Sequence, residues 1–327
     1  MSNSSRRPSI GIASLTIRDF RGIDRLDLDF RGPDGYPNSL VVLAGPNGCG
    51  KTTVLEAALI LAGGAKLIAG HRGKRAIRRG AKDYVIQGEF QDEGQTSIGR
   101  DTPSSTDLPF LGHPVPHWYF SSWRAPSLVG PVGPTVGRPG RRPAKSDQNR
   151  LRNVKQALVN AATFERFQFP MFAGSGGGPY SVIIQEINNA WLEFYPDVGQ
   201  TFAVEIVPPT ESAIGFFDVY LRTPEGPRLE VDLLSSGQLE LFLFLSELAL
   251  NENREGIIFI DEPELHLDPQ WHRLILRSLT RLQPRAQLVV STHSPEIYDA
   301  AASYERHYLV PEGDPRAHLW RPVEAEA

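Results

Sequence analysis

Residues 45–52 read Gly-Pro-Asn-Gly-Cys-Gly-Lys-Thr, which fits the spacing G-x-x-x-x-G-K-[ST]. Glycines let successive backbone N–H groups turn inward around an anion, and a helix starting where the loop ends adds its positive N-terminus. Lys51 is then placed to reach β- and γ-phosphates, and the Thr52 hydroxyl to ligate Mg²⁺. The apolar run LVVL before the loop predicts a strand, and TTVLEAALIL after it predicts a helix from about Thr52 to Leu61. The expected nucleotide contacts are Gly45, Pro46, Asn47, Gly48, Cys49, Gly50, Lys51, Thr52 and Thr53. Cys49 fills a free position of the pattern, and bound nucleotide should protect its thiol from alkylation.

Two further apolar runs end in polar groups. Ile257 to Ile260 lead into Asp261 and Glu262. A buried parallel strand delivers ligands at its carboxyl end, where Asp261 would hold Mg²⁺ and Glu262 would act as general base on water. Taken alone, the run also reads as a strand entering a solvated acidic turn. Beside a phosphate loop the catalytic reading takes precedence. Leu288 to Val290 lead into Ser291, Thr292 and His293. His293 is a candidate γ-phosphate contact, the alternative being a structural histidine bonded to a loop. Ser235 and Ser236, in Leu-Ser-Ser-Gly-Gln before an apolar helix, are ordinary helix caps on their own.

These residues need elements to position them. The chain has 327 residues, 40% hydrophobic and 22% charged, enough for a large core. The N-terminus alternates as two or three strands through Ile10–Ile17 and Leu26–Phe30, and Tyr84–Phe90 and His117–Phe120 read as further strands. Helices are expected from about Gln148 to Arg166 and from Ser181 to Tyr195, with strands over 201–207 and 216–222. From residue 233 the order is helix, strand, helix, strand, helix, the pattern of a parallel α/β layer. The stretch 125–144 is rich in Pro and Gly and is expected to be a mobile loop; GSGGG at 174–178 is a second expected joint.

Composition excludes several classes. One Cys cannot form an intramolecular disulfide or a cysteine-built metal site. The start MSNSSRRPS has no apolar h-region, and the most apolar stretch, 239–250, is short and carries Glu240 and Glu247, so the expectation is a cytoplasmic chain with no membrane partner. Net charge is −4, yet segments 66–82 and 124–155 are basic. The first holds Lys66, Arg72, Lys74, Arg75, Arg78, Arg79 and Lys82. The second holds Arg124, Arg138, Arg141, Arg142, Lys145, Arg150, Arg152 and Lys155. They could lie on nucleic-acid phosphates or form a solvated face. Trp118, Trp123, Trp191 and Trp271 are expected in cores or interfaces.

Taken in order, these elements resemble the ABC-type ATPase head of the SMC, RecF and OLD-like branch. GPNGCGKT resembles the Walker A loop, LSSGQ the signature motif, IIFIDEP Walker B with its glutamate, LHLDP the D-loop and STHSP the switch histidine. IRDFRGIDRLDLDF resembles the opening strands of that branch, with Asp19 where Asn is common. DEPELHLDP and THSP are closer to the OLD-like group than to transporter subunits. The resemblance is strong over 1–62 and 228–300 and weak over 63–227. It implies an α/β P-loop NTPase with a parallel core sheet, an N-terminal antiparallel β subdomain and a helical, loop-containing insertion. It divides the chain into 1–91, 92–227 and 228–327.

The resemblance also implies that two heads pair head-to-tail around two ATP molecules, as a homodimer or higher oligomer. Lys51, Thr52, Asp261, Glu262 and His293 of one copy would face Ser235, Ser236, Gly237, Gln238 and Asp268 of the other. Arg21 would lie near the base or α-phosphate, and His266 either contacts in the D-loop or merely packs. A Q-loop residue is open between Gln87 and the region of Arg124. The leading expectation is a stand-alone ATP-driven switch for a separate effector in bacterial anti-phage defence, because roughly thirty residues follow the THSP element, too few for the nuclease domain of OLD proteins. The alternatives are a RecF-like, ATP-dependent DNA-binding repair protein and a transporter's ATP-binding subunit.

Overall fold

The computed structural model describes residues 7–68, 76–91, 94–99, 115–122, 128–134, 149–168, 178–207, 216–251 and 255–310. Its strands in chain order are β1 (Ile12–Phe20), β2 (Ile23–Asp29), β3 (Leu40–Ala44), β4 (Val85–Phe90), β5 (Gly94–Gly99), β6 (His117–Phe120), β7 (Thr201–Ile206), β8 (Phe217–Arg222), β9 (Leu229–Glu230), β10 (Glu255–Asp261), β11 (Arg285–Thr292) and β12 (Arg306–Tyr308). Its helices are α1 (Lys51–Leu61), α2 (Arg150–Gln168), α3 (Pro179–Phe194), α4 (Ser236–Ala249), α5 (His272–Leu282) and α6 (Pro295–Ala300). They form two compact units, neither continuous in sequence. One comprises Met1–Ser122, Arg254–Glu264 and Gln283–Ala327, the other Trp123–Asn253 and Leu265–Leu282.

The first unit holds two sheets. An antiparallel sheet runs β2-β1-β4-β5, and a parallel sheet runs β12-β3-β11-β10-β6. The N-terminal alternation makes two strands, because Phe20 pairs with Ile23 across the tight Arg21-Gly22 turn, in which Arg21 takes φ 53°. Leu15 and Ile17 are buried while Arg18 is exposed, the period-2 pattern of a one-sided sheet. β3, β10 and β11 are buried almost throughout, as apolar runs in a parallel sheet must be. Leu15, Ile17, Phe20, Val41, Leu55, Leu59, Phe259 and Val289 join one core. Gln287, buried in β11, accepts from Ile12 N at 2.7 Å and donates to Ile12 O and Asn38 O, each at 3.0 Å.

The second unit packs α2, α3, α4 and α5 with a small antiparallel sheet, β7-β8-β9. α5 buries Ile275, Leu276, Leu279 and Leu282, the spacing of one helical face. α4 is buried along nearly its whole length. Trp191 is fully buried and stacks on Tyr195 at 4.5 Å; Trp271 meets Tyr195 edge-on at 5.1 Å. Trp118 is half-buried in β6, in the first unit.

Two expectations do not hold. Arg150 and Lys155 are not surface cations. Arg150 is buried against Glu240 and Glu247 of α4, at 3.0 and 2.8 Å. The Lys155 ammonium is buried with Asp218 at 2.7 Å, the Val129 carbonyl at 2.8 Å, and Asp232. A charge this deep persists only where carboxylates and carbonyls replace water. The Pro- and Gly-rich stretch is not all loop either. Val132 pairs with Phe217 through two backbone hydrogen bonds of 2.9 Å, and Val129 N donates to Asp232 at 2.7 Å. Backbone pairing needs no apolar composition, which is why the residue types did not reveal it. Residues 125–127 and 135–144, with Trp123, Arg124, Arg138, Arg141, Arg142 and Lys145, lie outside the described residues, as do Arg72, Lys74, Arg75 and 174–177. Arg78 pairs with Asp24 at 2.6 Å, and Arg79 and Lys82 are exposed.

Candidate functional site

The parallel register brings three chain segments to one edge of the first unit. Thr292 pairs with Ala44, the last residue of β3, and Ser291 pairs with Asp261, the last residue of β10. The loop after β3 contains glycines at left-handed φ: Gly45 at 154°, Gly48 at 80° and Gly50 at 94°. A side chain at Gly45 would place its Cβ 2.3 Å from the Leu309 carbonyl, so this glycine is required by contact as well as by conformation. Gly50 caps α1 with no side-chain acceptor. Lys51 is buried and closes the loop, its ammonium donating to Gly45 O at 2.9 Å and Pro46 O at 3.2 Å.

Thr52, on the first turn of α1, faces Asp261. Its hydroxyl lies 3.0 and 3.1 Å from the two carboxylate oxygens, and Ser291 also donates to Asp261. A hydroxyl and a buried carboxylate are the hard-oxygen pair that suits Mg²⁺, whose remaining positions are filled by water and phosphate. Among the described residues no group of three or more His, Cys, Asp or Glu could hold a metal without such help.

Glu262 follows at φ 53°, a conformation rare for a residue with a side chain. Its N–H donates to Ser291 O at 2.9 Å. The turn parts the two consecutive carboxylates: Asp261 serves Thr52, while a Glu262 oxygen stands 3.4 Å from His293 Nδ1. A second carboxylate, Glu264, stands 3.3 Å from the same nitrogen.

Arg21 does not stand alone in its turn. It is ion-paired with Glu56 of α1, one turn beyond Thr52. Burial raises the Glu56 carboxyl above the usual carboxylate range, and the Arg21 charge opposes that shift. Gln87 lies in β4, opposite Thr16 of β1.

The second unit carries the LSSGQ element. Ser235 caps α4, accepting from Gln238 N at 3.3 Å, while Ser235 N donates to the Gln238 side chain at 3.2 Å. This reciprocal box is the ordinary capping role, and it fixes Ser236 and Gly237 in the first turn. A Cβ on Gly237 would sit 2.5 Å from the His266 carbonyl. His266 is exposed and takes φ 69°, so the part of it that meets the motif is backbone. Asp268 caps the short turn that follows, accepting from Gln270 N at 3.0 Å.

Two family models match, "AAA domain" over residues 14–106 and "AAA domain, putative AbiEii toxin, Type IV TA system" over 144–299. The fold is also that of a solved SMC head bound to the C-terminal winged-helix domain of ScpA, with a TM-score of 0.58 at 15% identity over 89% of this chain and 92% of that one. The chain carries an ABC-type ATPase head. This head is similar to the Septu protein PtuA of Bacillus thuringiensis, 43% identical over 27% of this chain and 26% of that protein. It is also similar to the DNA replication and repair protein RecF of Salmonella schwarzengrund, 25% identical over 93% of this chain and 99% of that one. The chain spans about a fifth to two-fifths of the length of the PtuA proteins and of the "Retron Vc95 probable ATPase" of Vibrio cholerae.

An ATPase head of this kind binds ATP through its P-loop. Among the described residues no helix is long and apolar enough to cross a membrane. Sequence reasoning singled out Thr52, Asp261, Glu262 and His293, and the first unit brings all four to one edge. It missed Ser291 and Glu264 as partners, although both lie inside the quoted motifs. It also missed Glu56, whose spacing of four residues from Thr52 puts it on the same face of α1.

Proposed function

We propose that this chain hydrolyses ATP in a site shared by two copies. One copy supplies Gly45–Thr53, Asp261, Glu262 and His293, and the other supplies Ser235, Ser236, Gly237, Gln238 and Asp268. The observation that carries the reading is the separation of duties at the end of β10, with Asp261 on Thr52 and Glu262 beside His293. Water attacks the γ-phosphorus while Glu262 takes its proton, and the bond to the β,γ-bridging oxygen breaks, leaving ADP and inorganic phosphate. Thr52 and Asp261 would hold Mg²⁺, which neutralises charge on the β- and γ-phosphate oxygens. The start of α4 would turn its N-terminal N–H groups toward the γ-phosphate of the other copy. ATP then favours the paired state, and hydrolysis releases it.

Likeness to Septu PtuA and to a retron protein supports the wider reading of an ATP-driven switch for a separate effector protein in anti-phage defence. The test is solution mass by light scattering on Glu262→Gln, with and without MgATP, beside ATP turnover of the unaltered chain. The expected result is turnover by the unaltered chain and a nucleotide-dependent doubling of mass in the variant. A chain that stays monomeric and does not turn over ATP overturns the shared site.

The RecF match over nearly the whole chain favours a second reading, ATP-dependent binding of duplex DNA. It predicts affinity that falls steeply with salt. Burial of Arg150 and Lys155 removes two of the cations that would contribute.

A further inference from the structure

Glu264 belongs to no step described so far, yet it is more deeply placed than Glu262. Its side chain is 3% exposed against 25% for Glu262. Its Oε1 accepts from the Thr292 hydroxyl at 2.6 Å and from His293 N at 2.9 Å, and lies 3.3 Å from His293 Nδ1. Its Oε2 is buried with no hydrogen-bond partner. A buried carboxylate oxygen left unpaired is costly, and a site that tolerates one calls for a reason.

His293 Nδ1 therefore has two carboxylates within 3.4 Å, and the imidazole has one N–H to offer on that side. The two acceptors are unlike. Glu264 is held by a hydroxyl and a backbone N–H of the same loop that carries His293, so it cannot move away without taking the loop with it. Glu262 is the residue required to accept a proton from water, and a carboxylate already receiving an imidazole N–H is a weaker base. The second partner of a functional histidine commonly fixes its tautomer and orientation.

We propose that Glu264 is a positioning residue for His293. It takes the Nδ1–H, sets the tautomer in which Nε2 is the bare nitrogen, and so relieves Glu262 of the imidazole. The proposal rests on the reading of Glu262 as general base given above. The contact between Glu264 and His293 can be tested apart from that reading.

The experiment compares the full chain with Glu264→Met, which removes both oxygens, and Glu264→Gln, which keeps the shape and one neutral acceptor. Three quantities are read at one fixed pH: KM and kcat for MgATP, the melting temperature, and the imidazole ¹⁵N signals of His293. The chain has 8 histidines, and the signals of His293 are assigned by their loss in His293→Gln. In Glu264→Met, kcat is expected to fall about 10–100-fold with KM unchanged. The His293 signals should leave the Nδ1–H pattern, and Glu264→Gln should restore part of both. An unchanged tautomer and kcat in folded variants, or a loss confined to KM or melting temperature, overturns the proposal. If Glu264→Met does not fold, Glu264→Gln decides: a neutral oxygen is the weaker acceptor, so an unchanged kcat and ¹⁵N pattern overturn it. A chain without ATP turnover would fail the general-base reading, while the ¹⁵N pattern would still report on Glu264.

Discussion

The Thr52 hydroxyl and the Asp261 carboxylate, 209 residues apart in sequence, meet at 3.0 and 3.1 Å. α1 contributes the first and the carboxyl end of β10 the second. Under the function proposed above, this pair would hold the Mg²⁺ that accompanies the nucleotide.

Ser291 donates to the Asp261 oxygen that also faces Thr52. Loss of a hydrogen bond to a metal-ligating carboxylate typically weakens metal affinity or activity about 10–100-fold. In Ser291→Ala, the free Mg²⁺ concentration that supports half-maximal ATP turnover is expected to rise by that order. A titration superimposable on that of the unaltered chain would remove Ser291 from the site.

Lys155 neutralises Asp218, which is fully buried with it, and Asp232, which is partly buried. Removing only the cation leaves a buried carboxylate beside a second, partly buried one. Lys155→Met should therefore destabilise the chain by about 3–5 kcal/mol. Adding Asp218→Leu to Lys155→Met should recover part of that loss. Denaturant midpoints of the single and double variants measure both effects, and equal midpoints for Lys155→Met and the unaltered chain would contradict the expectation.

His307 packs edge-on against Phe30, with ring centroids 5.1 Å apart, and its Nε2 has no hydrogen-bond partner. Burial lowers its pKa to about 4, with the Asp29 charge opposing the shift. In the unfolded chain the imidazole titrates near 6.5. The unfolded state thus takes up a proton that the folded state refuses. The stability associated with His307 is fully present above pH 6.5 and is lost as pH falls toward 4. His307→Phe should flatten this part of the stability–pH curve. An identical slope in both proteins would count against it.

Cys49 is the chain's single cysteine and lies half-buried in the phosphate loop. A nucleotide seated there covers it. Alkylation of Cys49 is expected to slow in MgATP, by an amount that tracks nucleotide occupancy. Equal rates with and without MgATP would place the nucleotide elsewhere.

The sequence was most informative where local conformation dictates residue type. Gly45, Gly50 and Lys51 belong to a turn that few other residues can make, so the loop was legible from eight letters. The strands were legible from apolar runs, but β5, β9 and β12 were not anticipated, being short or weak in apolar pattern. What the sequence concealed depends on register and long-range pairing. Ser291 meets Asp261 because β10 and β11 are parallel neighbours, a fact that neither strand carries alone. Arg150 and Lys155 read as basic surface because their carboxylates, at positions 218 to 247, lie far along the chain. Glu264 was visible as a letter in DEPELH; its role in holding the His293 loop emerges only once the strand ends are level.

Gln287 adds a mechanical consequence. One side-chain amide, buried in β11, grips both the N–H and the carbonyl of Ile12 and also the carbonyl of Asn38. β1 cannot slip along β11 without stripping these groups of partners in a place water does not reach, and each stranded group costs about 1–3 kcal/mol. His293 lies six residues further along the same chain direction, roughly 20 Å away at strand rise. One buried amide thereby ties the antiparallel sheet to the strand that leads directly to His293.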